Sequence, residues 1–126
     1  MRTIDDLIQI MDELLGENGC PWDKEQTLDS LKQYIRSETE EVCEAVDHGD
    51  MENLCEELGD VLFEVVFFAA LAKRQGSFSM DEVIEGICEK MIRRHPHVFG
   101  GVKVDSAEEA LALWKEIKRQ EKAQKT

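Results

Sequence analysis

Four acidic residues stand in two pairs of equal spacing, Glu38 with Glu41 and Glu57 with Asp60. Side chains three apart on a helix are neighbours on one face. Each pair therefore presents two carboxylates together. From Ser37 to Ala72 the chain carries eleven acids and no Lys or Arg. The short stretch "HGD" (48–50) separates the pairs, with Glu41 nine residues before Asp50 and Glu57 seven after it. If helices flank that turn they run antiparallel, and both pairs face one another at one level. Carboxylates ~6 Å apart at an effective dielectric of ~20 repel by about 3 kcal/mol a pair, and four sum to roughly 10–15 kcal/mol. A domain stable by about 5–15 kcal/mol does not carry that unrelieved.

Protonation, basic partners, water or a metal ion must relieve the repulsion, and this stretch supplies no base of its own. Hard oxygen ligands in this number suit Mg²⁺ or Mn²⁺ better than zinc, which prefers His and Cys. The competing reading is a solvated acidic face, the commonest fate of a lone E-x-x-E. It loses weight here because Glu57 and Asp60 lead into "VLFEVVFFAALA" (61–72), a run with too little polar surface to be exposed. Glu64 lies inside that run, one turn past Asp60, as a group supporting the site or one at an interface. Glu40, Glu44 and Glu56 read as solvent-facing.

The elements that must hold these acids are helices. Proline occurs only at Pro21 and Pro96, and no segment alternates at period two for long. Apolar residues at helical spacing predict helices over roughly 3–16, 28–47, 51–74, 80–94 and 107–122. Thr3 with Asp6, Ser79 with Glu82 and Ser106 with Glu109 have capping spacing, and Asp23, Glu25 or Thr27 is placed to cap the second helix. Gly16 and Gly19 stop the first helix, "GENGCPWDKEQ" (16–26) and "FGG" (99–101) read as loops, and Pro96 blocks extension of the fourth. The expectation is one all-α domain over 1–126, a bundle of about five helices with its site on the second and third. A helical unit of this size often completes its core with a partner.

Composition narrows the function classes. A net charge of −13 argues against a nucleic-acid backbone as partner, but not against a small polyphosphate that arrives with its own cations. No apolar run reaches the ~18–20 residues of a membrane span, because Glu64 interrupts the best one. No basic stretch followed by an apolar segment opens the chain, so a cytoplasmic protein is expected. Cys20, Cys43, Cys55 and Cys88 form no C-x-x-C pair and read as reduced, non-ligating thiols. His95 and His97 flank Pro96 in a poor arrangement for one zinc ion.

E-x-x-E on one helix followed by E-x-x-D on the next resembles the MazG-type all-α nucleoside triphosphate pyrophosphohydrolases. "CPWDKEQT" (20–27), "EELGDVLFEVVF" (56–67), "RRHPHVFG" (93–100) and "WKEIKRQEK" (114–122) match the MazG branch in order, so the likeness covers roughly 3–122. The resemblance implies a helical bundle assembled as a dimer and Mg²⁺-dependent cleavage of a nucleoside triphosphate into monophosphate and pyrophosphate. It implies metal ligands at Glu38, Glu41, Glu57 and Asp60. Glu38 or Glu41, where a metal engages it only in part, is the expected acceptor of the attacking water's proton. The resemblance assigns nucleotide contacts to Lys90, Arg94, Trp114 and Lys118. Lys90 with Arg94, and Trp114 with Lys118, are i, i+4 pairs, suited to phosphate oxygens and to stacking beside a cation. Packing is the competing role for Trp114 and for Trp22, and a helix C-terminus attracts bases in any case.

The "RRHPHVF" block favours broad nucleotide use. The alternatives are a relative restricted to dUTP, dCTP or phosphoribosyl-ATP, and a catalytically idle helical dimer that binds cations. Two departures bear on this. Many relatives place two consecutive glutamates where this chain has Ser37 before Glu38, and some carry two such domains in tandem.

Overall fold

The computed structural model describes residues 1–125, and among them it contains helices and no strand. The order is α1 (Ile4–Leu14), α2 (Pro21–Lys24), α3 (Leu28–Asp47), α4 (Met51–Arg74), α5 (Met80–Arg94), α6 (Pro96–Phe99) and α7 (Ala107–Gln124). The all-α class read from the periodicity is the one found, and α3, α4 and α5 span the residues expected of them. Single-turn α2 falls in the segment expected as a loop, and single-turn α6 lies between the expected helices over 80–94 and 107–122. Each opens on a proline, whose fixed φ and missing N–H suit the first helical position, and at Pro96 the residue that blocks extension of α5 begins α6. The chain divides into two compact units, Met1–Asp81 and Glu82–Thr126.

Caps define the ends of the helices in the first unit. The Thr3 amide donates to Asp6 Oδ2 at 2.6 Å ahead of α1. Thr27 and Ser30 exchange bonds at the start of α3, each amide donating to the other hydroxyl at 2.9 and 3.0 Å. Asp50 Oδ1 accepts the Asn53 amide at 3.0 Å and opens α4. Between α3 and α4 stands Gly49 at φ 65°, a left-handed conformation that an L side chain adopts only at a cost. That tight turn makes α3 and α4 antiparallel neighbours. At Gly19 the constraint is space, since a Cβ there would lie 2.0 Å from the Leu14 carbonyl oxygen.

α3 packs along α4, and α1 lies against α4 as well. Met11, Leu15, Leu31, Val66 and Phe67 form the buried core, with Leu7, Ile8, Tyr34, Phe63 and Leu71 around it. Burying side chains of this size stabilises the fold by about 1.5–3 kcal/mol each. Phe63 meets Phe67 edge-on at 5.9 Å, and Trp22 meets Tyr34 edge-on at 5.6 Å while half-exposed. Arg74 Nη2 donates to the Leu15 carbonyl at 2.7 Å and ties the end of α4 to the end of α1.

The second unit is built differently. None of the described residues of α5, α6 or α7 is buried, and Ile87, Ile92, Val98, Phe99 and Leu111 are exposed. Ser106 Oγ accepts the Glu109 amide at 3.1 Å and Glu109 Oε2 accepts the Asp105 amide at 2.8 Å, so α7 begins at the expected cap. Among the described residues no helix is long and apolar enough to cross a membrane, and all four cysteines are unpaired.

Candidate active site

The α3–α4 hairpin brings acids from both of its arms together. Glu38, Glu41 and Glu57 each offer a carboxylate oxygen, and those oxygens lie within 4.8 Å of one another. Among the described residues this is the only set of three His, Cys, Asp or Glu so arranged. Asp60 stands outside the triad, on the exposed side of α4. Its charge nonetheless bears on Glu38, Glu57 and Glu64. The residues expected as ligands thus form a close group of three with the fourth alongside.

This cluster is electrostatically unrelieved. Glu57 is pushed up to about 7, chiefly by hydrogen bonding with Glu41, then by desolvation and by the charges of Glu41, Asp60 and Glu38. Glu38 is raised as well, first by desolvation and then by Glu41. The mechanism is like charge held close with part of its hydration removed, which favours the protonated form. One oxygen each on Glu38, Glu57 and Glu64 is buried without a hydrogen-bond partner among the described residues. Buried polar atoms in native proteins are nearly always satisfied, so these three orphan oxygens are open to a partner. An oxygen-only donor set with unpaired carboxylate oxygens fits a hard divalent cation, Mg²⁺ or Mn²⁺.

Glu64, which the sequence places inside the apolar run, lies on the same helix as Glu57 and Asp60. It is 9 % exposed, on the core side of α4, and it sits one helical stretch beyond Glu57 and Asp60. Burial raises its pKa first, followed by the charges of Glu38, Asp23 and Asp60. It therefore belongs to the acidic cluster. Asp23, which sequence reasoning offered only as a possible cap, adds its charge from α2, while Thr27 does the capping. No spacing signal links Asp23 to α4, because the two meet through the fold of the Gly16–Gln26 segment.

The residues expected to contact the nucleotide gather in the second unit. Lys118 Nζ lies 4.6 Å and the Arg94 guanidinium 5.9 Å from the centre of the Trp114 ring, both within cation–π range. Arg94 donates from Nε and Nη2 to Glu121 Oε1 at 3.2 and 2.8 Å, and Arg93 Nε donates to Glu121 Oε2 at 2.7 Å. Those two guanidinium groups, Arg94 first, hold the Glu121 carboxyl down at about 2. Lys90 lines a cleft with Arg93, Arg94, Glu121, Gln124 and Lys125. Glu121 and Arg93 were not singled out by sequence reasoning. The partners lie 27 and 28 residues apart, beyond the reach of any helical spacing rule.

His95 and His97 have ring centres 5.4 Å apart, and His95 Nδ1 is 2.6 Å from the Met91 carbonyl oxygen. They form no three-residue ligand set among the described residues.

Residues 26–99 match the family model described as the MazG nucleotide pyrophosphohydrolase domain. The chain is 53% identical over 113 residues to the uncharacterized protein YabN of Bacillus subtilis (strain 168), a match covering 90% of this chain and 23% of that protein. It is 46% identical over 126 residues to a nucleoside triphosphate pyrophosphohydrolase of Escherichia coli (strain K12), covering 99% of this chain and 48% of that one. The chain thus spans half or less of the length of these two relatives. Among solved structures, a mazG-related protein from Thermotoga maritima superposes with a TM-score of 0.76 at 36% identity, covering 91% of this chain and 98% of that chain.

Proposed function

This chain belongs to the MazG nucleotide pyrophosphohydrolase domain family, and we propose that it hydrolyses nucleoside triphosphates to monophosphate and pyrophosphate in a divalent-cation-dependent reaction. The observation that carries the proposal is the Glu38–Glu41–Glu57 triad, three carboxylates within 4.8 Å with buried oxygens left unpaired. Support also comes from the Escherichia coli relative, named for this activity, at 46% identity over 126 residues.

In this reading Glu38, Glu41, Glu57 and Asp60 hold Mg²⁺, with Mn²⁺ as a substitute. When bound, the ion supplies Lewis-acid stabilisation of phosphate charge and acidifies water. The chain's own groups do the rest. Glu38 or Glu41 accepts the proton of the attacking water, a role open to a carboxylate whose oxygens are not all engaged. Lys90, Arg94 and Lys118 stabilise the charge of the triphosphate and of the departing pyrophosphate. Trp114 offers a flat face to a nucleobase, already flanked by cations that phosphate or ribose can share. An acidic cluster of this strength repels a free triphosphate, so the substrate enters as its cation complex.

Substrate use is broad in this reading, serving to remove damaged or surplus nucleotides, and the chain works as a homodimer in the cytoplasm. Incubation of each ribo- and deoxyribonucleoside triphosphate with Mg²⁺, with products resolved by anion exchange, tests the reaction. Monophosphate and pyrophosphate are expected from several bases. Diphosphate with phosphate contradicts the bond assignment, a single accepted base indicates a restricted enzyme, and no turnover indicates an idle cation-binding module.

A further inference from the structure

Glu121 of α7 is the one acid among the second unit's binding groups, and the reaction outlined above gives it no task. It stands where charge matching alone would not put it. A region meant to hold a polyphosphate gains from every uncompensated base, yet Glu121 engages two arginines at once, Arg93 at 2.7 Å and Arg94 at 2.8 and 3.2 Å. The Arg93 side chain is 53% exposed, whereas those of Arg94 and Glu121 are 12% and 19% exposed. The inner pair is therefore the better shielded from solvent, and a two-pronged contact between guanidinium and carboxylate fixes orientation as well as distance.

Packing encloses the Arg94 side chain, which is 12% exposed, but does not by itself orient its guanidinium group. Among those described, α5 and α7 bury no residue fully, and Met91, Leu113, Trp114 and Ile117 are partly buried. The Trp114 ring lies 5.9 Å from the guanidinium, a contact that tolerates many orientations. Nε and Nη2 are directed by Glu121, while Nη1 makes no hydrogen bond among the described residues. We infer that Glu121 is a positioning residue for triphosphate binding, holding Arg94 beside Trp114 with Nη1 turned free for a phosphate oxygen. This inference rests on the proposed reading of Arg94 as a triphosphate contact.

The opposing possibility is that Glu121 merely neutralises surplus positive charge. The two differ in sign. A neutralising acid weakens nucleotide binding, so its removal lowers KM, whereas removal of a positioning acid raises it. The test is steady-state hydrolysis of a nucleoside triphosphate with Mg²⁺ by wild type, Glu121→Gln and Glu121→Asp. Glu121→Gln is expected to raise KM about tenfold with kcat within about threefold, the scale of one charge-assisted hydrogen bond. Glu121→Asp restores most of the loss by returning the carboxylate.

A second readout follows the geometry directly. In a Trp22→Phe background, emission reports Trp114 alone, and Glu121→Gln is expected to increase its quenching by the uncharged quencher acrylamide as Arg94 leaves the ring. An unchanged or lowered KM, or unaltered quenching, overturns the inference. Wild type that cleaves no triphosphate sinks the functional reading and this inference with it. Active wild type beside an unaffected Glu121→Gln sinks the inference alone.

Discussion

The acidic cluster on the α3–α4 hairpin and the basic cluster on α5 and α7 treat charge in opposite ways. In the first, Glu38, Glu41 and Glu57 are crowded within 4.8 Å, with buried oxygens unpaired and Glu57 pushed up to about 7. In the second, Glu121 joins Arg93 and Arg94 and is held down at about 2. The same residue type sits above its ordinary range in one region and below it in the other. The difference lies in what surrounds it. One region has been built with a deficit of positive charge and a rigid frame to hold that deficit. In the other, Arg93 and Arg94 are paired with Glu121, and no described residue of α5 or α7 is fully buried. A deficit of that kind calls for a cation, whereas an answered set offers orientation.

The sharpest way to break the comparison is to remove one member from each side. Glu57→Gln and Asp60→Asn are expected to lower kcat by at least about a hundredfold, the loss of more than ~2.7 kcal/mol of transition-state stabilisation, with helical circular dichroism unchanged. Lys118→Ala is expected to act mainly on KM, by about tenfold, because it removes one electrostatic contact and leaves the cation site whole. Comparable kcat losses from both sides would erase the distinction drawn here.

A second prediction uses pH. An acid raised from 4.5 to about 7 in the folded state, as Glu57 is, binds more protons folded than unfolded between those values. Its contribution therefore favours folding at the acid end and is lost as pH rises through about 7. Without divalent cations, the melting temperature of wild type relative to Glu57→Gln should fall from about pH 5 to about pH 8, because the amide does not titrate. Mg²⁺ should stabilise wild type most at the alkaline end, where the carboxylates are charged. A flat difference curve means the cluster is solvated after all.

The frame can be tested separately from the charge. Gly49→Ala forces an L side chain into φ 65° at the turn between α3 and α4. A loss of about 1–2 kcal/mol is expected in denaturant titrations. Activity at temperatures well below the melting transition should fall far less than in Glu57→Gln, because the hairpin still forms.

Much of this was legible before any coordinates, and for a plain reason. The periods that define α3, α4 and α5, and the spacing that pairs Glu38 with Glu41 and Glu57 with Asp60, are local regularities of sequence. Short α2 and α6 escaped because each is a single turn opened by proline, too brief for a helical period to show. Glu64 was ambiguous because an acid inside an apolar run can face a neighbouring acid or an interface, and only tertiary packing decides. Glu121 carried no spacing signal. Its partners come from another helix, and no regularity in α7 distinguishes it from Glu116, which pairs within its own helix at 2.6 Å.

The central claim is that the hairpin carboxylates form a cation site, and titration calorimetry tests it most directly. Mg²⁺ or Mn²⁺ added to wild type at neutral pH should bind, with and without a non-hydrolysable triphosphate, and should release protons as the raised carboxyl of Glu57 gives up its own. Glu57→Gln should bind weakly and release fewer. Absence of uptake of either ion by wild type, in both conditions, contradicts the account.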